Sequence, residues 1–405
     1  MQNKSQLRQQ YEQIKAEGLN LDMSRGKPGA DVLDFSNAML TIPGSDYMSD
    51  SFDCRNYIPL DGIPEVKKLL SPILGVTPER LIIGGNSSLQ MMYDTIVREM
   101  LCGVWKEDRG EKIKFICLVP GYDRHFAICE RLSIGMEMVA LGKDGPDMDL
   151  IERLVADDDS IKGIWCVPMY SNPTGITYSD EVVRRFARMK TKSANFRILW
   201  DNAYAIHHLN DTPDSLLNIL DECESAGNPD RVYMFASTSK VTFPGGGVAM
   251  MATSDKNADF VRAHMGVQTI GGDKLNQLRH VRFFGDFNRI VEHMKRLSGV
   301  LKPKFDTVTE ILERELGSDF GVWHKPNGGY FISFDGNPGT AKETVRLCRE
   351  AGVILTNAGA TFPYNNDPDD KNIRIAPSFP PVEELKRAME VFCVSVKLAN
   401  EIVRQ

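Results

Sequence analysis

The feature that most constrains the fold is a series of short apolar segments between residues 80 and 255 that alternate with helical stretches. Continuous apolar runs of this length are typical of strands that are covered on both faces of a mostly parallel sheet. The predicted strands span 81–83, 115–119, 136–140, 161–167, 197–200, 232–236 and 248–252. The pattern therefore predicts an α/β fold whose large domain contains a mostly parallel seven-stranded sheet.

The remaining sequence predicts a smaller α+β domain. A long amphipathic helical pattern runs from about Asp273 to Glu315. Strand-like segments follow at 322–334, 353–356 and 372–376. The first 45 residues or so show no sheet of their own, so we expect them to pack against the C-terminal unit. The predicted domains are 46–290 for the large one, and 1–45 together with 291–405 for the small one.

Composition narrows the class of protein. The 405-residue chain is 42% hydrophobic and 25% charged, as is usual for soluble globular proteins. Its 48 basic and 55 acidic residues give a net charge of −7, which argues against nucleic-acid binding. No apolar run approaches the ~18 residues of a membrane span, and the N-terminal segment does not resemble a signal peptide. Eight scattered cysteines without a C-x-x-C pair predict buried free thiols, with no metal site. These features predict a cytoplasmic enzyme.

Several predicted strands end in residues that could carry out chemistry. In a parallel sheet, ligands bind outside the carboxyl ends of the strands. Asn172, Asp201 and Lys240 each follow such a strand. A lysine that is desolvated there can act as an amine nucleophile, although most lysines are solvated. Asp201 could instead cap a helix, and Asn172 lies in Asn-Pro-Thr-Gly, which could be only a turn.

A glycine-rich segment, Gly84-Gly85-Asn86-Ser87-Ser88, precedes a predicted helix. Its glycines would allow close backbone approach, and the free N–H groups of a helix N-terminus can bind an anion. The alternative is an ordinary helix cap.

The order and spacing of Asn172, Asp201-x-x-Tyr204 and Ser237-x-x-Lys240 resemble those of the fold-type I aminotransferases that depend on pyridoxal phosphate. The resemblance extends from about Leu21 to Pro380. The segments 24–28, 120–125, 237–240 and 374–378 are similar to those of the bacterial subgroup Ic aspartate aminotransferases, which are related to the aminotransferase domain of MocR-type regulators.

This resemblance implies roles for the residues that bind the cofactor ring. Lys240 would form a Schiff base with pyridoxal phosphate and then transfer the proton at the substrate Cα. Asp201 would keep the pyridine nitrogen protonated. Tyr204 and Asn172 would form hydrogen bonds with the phenolate oxygen, and Tyr122 would stack on the ring.

The resemblance also implies residues for the cofactor phosphate and the substrate. The phosphate would be bound by Asn86, Ser87, Ser88, Ser237 and Ser239. Tyr57 would reach the phosphate of a neighbouring subunit, which implies a homodimer with shared active sites. Arg374 would bind the substrate α-carboxylate through its planar fork, bordered by Gly26.

One position departs from the family pattern. Much of the superfamily has a phosphate-binding arginine eight residues after the lysine, and here that position is Val248. We consider Lys274 as a replacement. Arg25, Arg124 and Lys274 are all candidates for binding a distal substrate carboxylate, and Gln268 stands where an arginine would suit that role.

Two pairs of adjacent residues that contain histidine complete the candidates. Arg124-His125 could contact substrate or pack beside Tyr122. His207-His208 could line the site but lack the acidic partners expected of metal ligands.

The predicted activity is transfer of an amino group from an amino acid, aspartate first, to a 2-oxo acid, 2-oxoglutarate first, by a ping-pong mechanism. Two alternatives remain open at this stage. One is β-elimination by a pyridoxal-phosphate-dependent lyase, which would use the same lysine and aspartate. The other is a non-catalytic module that binds pyridoxal phosphate as a sensor.

Overall fold

A computed structural model describes residues 4–57, 59–108 and 113–403. The strands are β1 (Leu21–Met23), β2 (Leu81–Ile83), β3 (Lys114–Val119), β4 (Gly135–Gly142), β5 (Gly145–Pro146), β6 (Ile161–Cys166), β7 (Arg197–Asp201), β8 (Val232–Ser237), β9 (Ala249–Thr253), β10 (Gly321–Trp323), β11 (Ile332–Gly336), β12 (Val353–Leu355) and β13 (Asn372–Ile375). The α-helices are α1 (Lys4–Ala16), α2 (Ala30–Leu33), α3 (Pro64–Leu74), α4 (Ser88–Leu101), α5 (Asp123–Arg131), α6 (Met148–Asp157), α7 (Asp180–Arg188), α8 (Ile219–Ser225), α9 (Asp255–Gln268), α10 (Lys274–Phe284), α11 (Phe287–Glu315), α12 (Ala341–Glu350) and α13 (Val382–Val403).

The central sheet has the order β2-β9-β8-β7-β6-β3-β4-β5. Strands β9 and β5 run antiparallel to their neighbours, and the other pairs are parallel. The predicted mostly parallel sheet is therefore confirmed, and all seven predicted strands belong to it. The sheet has one strand more than predicted, because the two-residue β5 turns back against the end of β4.

Alternate residues of the central strands enter two separate hydrophobic clusters. Phe115 and Cys117 of β3 join α4, α5 and α9 in one cluster, whereas Ile116 and Leu118 join α3, α6, α7 and α8 in the other. Successive side chains of a strand point to opposite faces, so both faces of the sheet are covered. This double burial explains why the strands are apolar throughout and do not alternate with polar residues.

Two small sheets lie outside the central one. Strands β10, β11 and β13 form an antiparallel sheet, and β1 pairs in parallel with β12. The single strand predicted at 322–334 is wrong, because the segment divides into β10 and β11, which pair with each other. The N-terminal segment packs against the C-terminal unit as predicted: the Tyr11 hydroxyl donates to the Leu347 carbonyl at 3.0 Å.

The helical pattern from Asp273 to Glu315 forms two helices, not one. They are α10 and α11, separated at Gly285, whose φ of +73° lies in the region that favours glycine. Seven cysteines are buried free thiols, but Cys102 is exposed, which corrects the prediction for that residue. Within residues 4–57, 59–108 and 113–403, no helix is long and apolar enough to cross a membrane.

Candidate active site

The carboxyl ends of the parallel strands open into a cavity of about 610 Å³. Its wall includes residues that follow β2, β3, β6, β7 and β8 of the central sheet. The small sheets contribute residues at the ends of β1 and β12 and on β13. The cavity thus lies where ligands bind in an open α/β sheet, and the predicted strand-end residues converge there.

Asp201 presents one unpaired carboxylate oxygen. It is the last residue of β7 and is only 3% exposed. Its Oδ2 lies 3.1 Å from Nε2 of His125, whose ring stacks on Trp165 at a centroid distance of 4.1 Å. Its Oδ1 is buried and has no hydrogen-bond partner in the described part of the chain. Because a buried, unsatisfied carboxylate oxygen is unfavourable, this atom is suited to accept a hydrogen bond from a bound ligand.

Lys240 follows β8 and lies against two aromatic rings. Its Nζ is 5.0 Å from the ring centre of Tyr204 and 5.8 Å from that of Tyr330. Burial lowers the pKa of Lys240, and the Asp201 carboxylate acts in the opposite direction. A lowered pKa raises the fraction of neutral amine, which is the nucleophilic form.

Two tyrosines of the cavity are held as neutral phenols. Burial raises the pKa of Tyr204 well above its ordinary value, and the neighbouring Tyr122 and Asp201 add to this effect. Burial likewise raises the pKa of Tyr122, whose ring meets His125 edge-on. A neutral phenol can donate a hydrogen bond to an anionic oxygen.

Four serines surround one end of the cavity. Ser87 and Ser88 lie at the N-terminus of α4, and the Ser237 hydroxyl donates to the Ser239 hydroxyl at 3.1 Å. Asn86 departs from the expectation: it is exposed, does not line the cavity, and its amide lies 3.5 Å from the Pro244 carbonyl. The backbone carbonyl of Asn86 accepts a hydrogen bond from the Ser239 hydroxyl at 3.1 Å. A helix N-terminus with hydroxyl groups is suited to an anion such as a phosphate.

Arg374 lies on β13 and is only 7% exposed. Its Nη1 donates to Oδ1 of Asp123 at 2.9 Å and to Oδ1 of Asn172 at 3.2 Å, and its Nη2 donates to the Thr356 hydroxyl at 3.3 Å. The guanidinium also stacks 4.8 Å from the centre of the Phe331 ring.

Gly26 and Arg25 border the same part of the cavity. A Cβ on Gly26 would lie 2.3 Å from Phe331, so only glycine fits there without displacing that ring. Arg124 lines the cavity as well, whereas Gln268 donates to Asp94 at 2.9 Å outside it.

Tyr57 and Lys274 lie away from the cavity of their own chain. They share a shallow groove with Cys54 and Gly271, in which Tyr57 is 66% exposed. Lys274 is buried and donates to the Gly272 carbonyl at 3.3 Å. At the position of the missing arginine, the backbone N–H of Val248 donates to the Thr238 hydroxyl.

His207 is buried against Tyr204 and Tyr330, and neither of its ring nitrogens has a partner in the described part of the chain. Burial lowers its pKa to about 3, with a further contribution from the charge of Lys240. Its neighbour His208 lies 2.8 Å from the Tyr170 hydroxyl. Neither histidine lines the cavity.

Sequence reasoning missed three contacts at this site. The pairing of His125 with Asp201 was not among the two alternatives for Arg124-His125, which were contact with substrate and packing beside Tyr122. Asp123 is an acidic residue in the first turn of α5, where such residues are common. Its sequence position therefore gives no indication of the contact with Arg374. Thr356 belongs to no sequence motif that would predict its contact with Arg374.

Comparison with known proteins identifies the family. The family model described as aspartate amino-transferase matches residues 1–405. The chain belongs to the aspartate aminotransferase family. The predicted class, an enzyme of the fold-type I aminotransferases, is therefore confirmed.

Two related proteins and one crystal structure are similar to this chain over nearly its whole length. The aspartate aminotransferase of Corynebacterium glutamicum is 43% identical over 401 residues, covering 97% of this chain and 92% of the relative. A protein of Mycolicibacterium smegmatis that is named as an aminotransferase is 47% identical over 398 residues, covering 96% and 93%. The crystal structure of an aspartate transaminase from Corynebacterium glutamicum superposes with a TM-score of 0.96 at 42% identity, covering 99% of this chain and 96% of that one.

A more distant structure shares the fold alone. The α-aminoadipate aminotransferase of Thermus thermophilus, solved with N-(5'-phosphopyridoxyl)-L-leucine, has a TM-score of 0.78 at 19% identity and covers 97% of this chain and 95% of its own.

Proposed function

We propose that this enzyme transfers the amino group of aspartate to 2-oxoglutarate and that pyridoxal phosphate is its cofactor. The observation that carries the proposal is a single cavity that contains the Lys240 amine, the unpaired Oδ1 of Asp201 and the Arg374 guanidinium. The named activity of the Corynebacterium glutamicum relatives supports aspartate as the donor. The phosphopyridoxyl ligand of the distant structural neighbour supports the cofactor.

The chemical groups of the cavity fit each part of this cofactor. Oδ1 of Asp201 would accept from the protonated ring nitrogen, which removes its unsatisfied state. Tyr204 would donate to the phenolate oxygen, and so would the amide nitrogen of Asn172, because its oxygen already accepts from Arg374. Ser87, Ser88, Ser237 and Ser239 would hold the phosphate at the N-terminus of α4.

When bound, pyridoxal phosphate supplies an electron-withdrawing ring that stabilises negative charge at the substrate Cα. Lys240 in its neutral amine form would remove the proton from Cα, and burial favours that form because it lowers the pKa of Lys240. Asp201 would stabilise the positive charge of the ring nitrogen as that proton leaves, and the contact with His125 keeps its carboxylate oriented.

Arg374 would bind the substrate α-carboxylate. Its stack on the Phe331 ring restricts the orientation of the guanidinium plane before the substrate binds. Arg25 and Arg124 border the cavity and remain candidates for the distal carboxylate of aspartate.

We further propose that the enzyme is a homodimer in which Tyr57 reaches the partner's phosphate. Tyr57 is 66% exposed, Val267 is 91% exposed and Ile270 is 64% exposed, which favours burial of this surface in an assembly. Lys274 shares the groove of Tyr57, so the proposal places its charge near the partner's site as well.

An amino-donor screen with 2-oxoglutarate tests the activity. We expect the purified enzyme to form glutamate from aspartate, and Lys240→Ala to lose about 10³-fold or more of that rate because the general base is gone. Lys143→Ala, which removes an exposed lysine, serves as the control. Borohydride reduction should label Lys240 with the cofactor. Release of pyruvate and ammonia from a cysteine-like donor, without glutamate formation, would contradict the proposal in favour of a lyase.

A further inference from the structure

Asp123 is a carboxylate in contact with the residue assigned to bind a carboxylate. It is the first residue of α5, its side chain is 31% exposed, and it lines the cavity. Its Oδ1 accepts from Nη1 of Arg374 at 2.9 Å, a distance typical of a charge-assisted hydrogen bond. Because α5 follows β3 and Arg374 lies on β13, this pair also connects the central sheet to a small sheet.

Three of the five N–H donors of Arg374, including both on Nη1, are committed to hydrogen bonds. A guanidinium has five N–H donors, two on each Nη and one on Nε. The two on Nη1 go to Asp123 and Asn172, and one on Nη2 goes to Thr356. The Nε is buried and has no partner in the described part of the chain. A carboxylate that is gripped through both Nη atoms must therefore take the place of one partner of Nη1.

Asp123 is the partner that can leave. Asn172 is only 5% exposed, whereas about a third of the Asp123 side chain is exposed and can be hydrated when it moves. Exchange of one carboxylate for another also keeps the largely buried Arg374 paired throughout, which avoids the penalty of an isolated buried charge.

We propose that Asp123 is an internal competitor that occupies Arg374 in the free enzyme and is displaced by the α-carboxylate of the substrate. The inference rests on the proposed function in one respect, the assignment of the α-carboxylate to Arg374. It makes Asp123 a specificity-determining residue, because an amine without a carboxylate cannot replace it. The apparent affinity for substrate equals the intrinsic affinity multiplied by the fraction of enzyme in which Arg374 is released.

Removal of this competing charge should tighten substrate binding. We expect Asp123→Asn and Asp123→Ser to lower the KM for aspartate and for 2-oxoglutarate by about three- to tenfold, with kcat changed less than about twofold. Asn can still accept a neutral hydrogen bond, whereas Ser is too short to retain the contact, so the effect should be larger for Ser. Glu181→Gln removes an exposed acidic residue on α7 and is the matched control for net charge.

Binding of succinate, a dicarboxylate without an amino or oxo group, gives a second readout that needs no turnover. Its Kd for the holoenzyme, measured by calorimetry, should fall in each Asp123 variant by the same factor as the KM of that variant, and should stay unchanged in Glu181→Gln. A KM and a succinate Kd that stay constant or rise in folded variants would overturn the inference, since Asp123 would then only orient Arg374. Absence of transamination by the unaltered enzyme would contradict the proposed function, whereas a transaminating enzyme whose variants bind no tighter contradicts this inference alone.

Discussion

At the scale of single residues, the site is organised around charges that lack a full set of partners. Asp201 has one oxygen oriented by His125 and one that has no hydrogen-bond partner among the residues that the structure describes. Strand β7 ends at this residue with all five of its side chains buried, so the carboxylate is held at the sheet edge by the sheet itself. A helix cap, the alternative considered from sequence, would require a helix directly after Asp201, and α8 begins only at Ile219.

Replacement of Asp201 tests whether its charge acts in catalysis. Asp201→Asn keeps the size of the side chain but removes the negative charge, so we expect kcat to fall about 10²- to 10³-fold while the cofactor remains bound. Stopped-flow measurement of each half-reaction reports this loss directly. Asp180→Asn, at the start of α7, is the control, and a variant of Asp201 with unchanged kcat would show a purely structural role.

Arg374 permits a test that separates substrate recognition from cofactor binding. Loss of one partner from a desolvated, hydrogen-bonded charge pair typically weakens binding by about 30-fold or more. Arg374→Ala should therefore lose at least about 30-fold in kcat/KM for every amino donor and keep its cofactor absorbance. Arg374→Lys should recover only part of the loss, because an ammonium lacks the planar fork. A loss confined to aspartate and glutamate would instead assign Arg374 to the distal carboxylate.

At the scale of secondary-structure elements, α10 supports the turn that carries Lys240. Nδ1 of His280 donates to the Asn276 carbonyl at 2.9 Å within the helix. The Nε2 is then the unprotonated nitrogen, and it lies 2.9 Å and 3.1 Å from the hydroxyls of Thr238 and Thr242, on either side of Lys240. Burial lowers the pKa of His280 to about 4, partly opposed by its bond to Asn276.

This contact predicts acid sensitivity. The pKa of His280 is lower in the folded protein than the ~6.5 of an unfolded chain, so between these values the unfolded state binds more protons. Stability should therefore fall as the pH drops from about 6.5 towards 4, with a contribution of about 1.4 kcal/mol per pH unit from this histidine. Urea denaturation at pH 7, 6 and 5 measures how the free energy of unfolding changes with pH. This change should be smaller for His280→Gln than for the control His264→Gln on α9. Equal slopes would show that another group governs the acid response.

At the scale of the whole molecule, one cavity draws on sheets that are distant in sequence. Asp123 and Arg374 form a hydrogen bond although they are 251 positions apart in the sequence. The Thr356 hydroxyl donates to the backbone carbonyl of Ser24, which is 332 positions away. The segment after β1, the end of β12 and the strand β13 therefore form one part of the cavity wall, and the strand ends of the central sheet form another.

The proposed dimer is tested by subunit mixing. Tyr57→Phe should bind pyridoxal phosphate more weakly, because the hydroxyl that contacts the phosphate is lost. In a hybrid of Tyr57→Phe with Lys240→Ala chains, the subunit that retains Lys240 would receive an intact Tyr57 from its partner. We therefore expect the site that retains Lys240 in the hybrid to bind pyridoxal phosphate as tightly as the unaltered enzyme does, measured as the dependence of activity on cofactor concentration. Binding as weak as in Tyr57→Phe alone would show that Tyr57 acts within its own chain.

The sequence alone determined the central sheet and about half of the residues of the cavity wall. A buried strand needs a continuous apolar run, which is a local property, and the rule for strand ends then places Lys240, Asp201 and Asn172 at one edge. Those three residues do line the cavity. The family motifs added Arg374 and the serines.

The tertiary structure decided what the local pattern does not encode. Asn86 and Ser87 are adjacent in the sequence, yet only Ser87 lines the cavity, because the backbone turns into α4 between an exposed and a half-buried position. The segment 322–334 divides into two strands because its halves pair with each other. The contact between Asp123 and Arg374 depends on how two sheets pack, and no periodicity or spacing carries that information, since side chains far apart in the chain meet only after the sheets have formed.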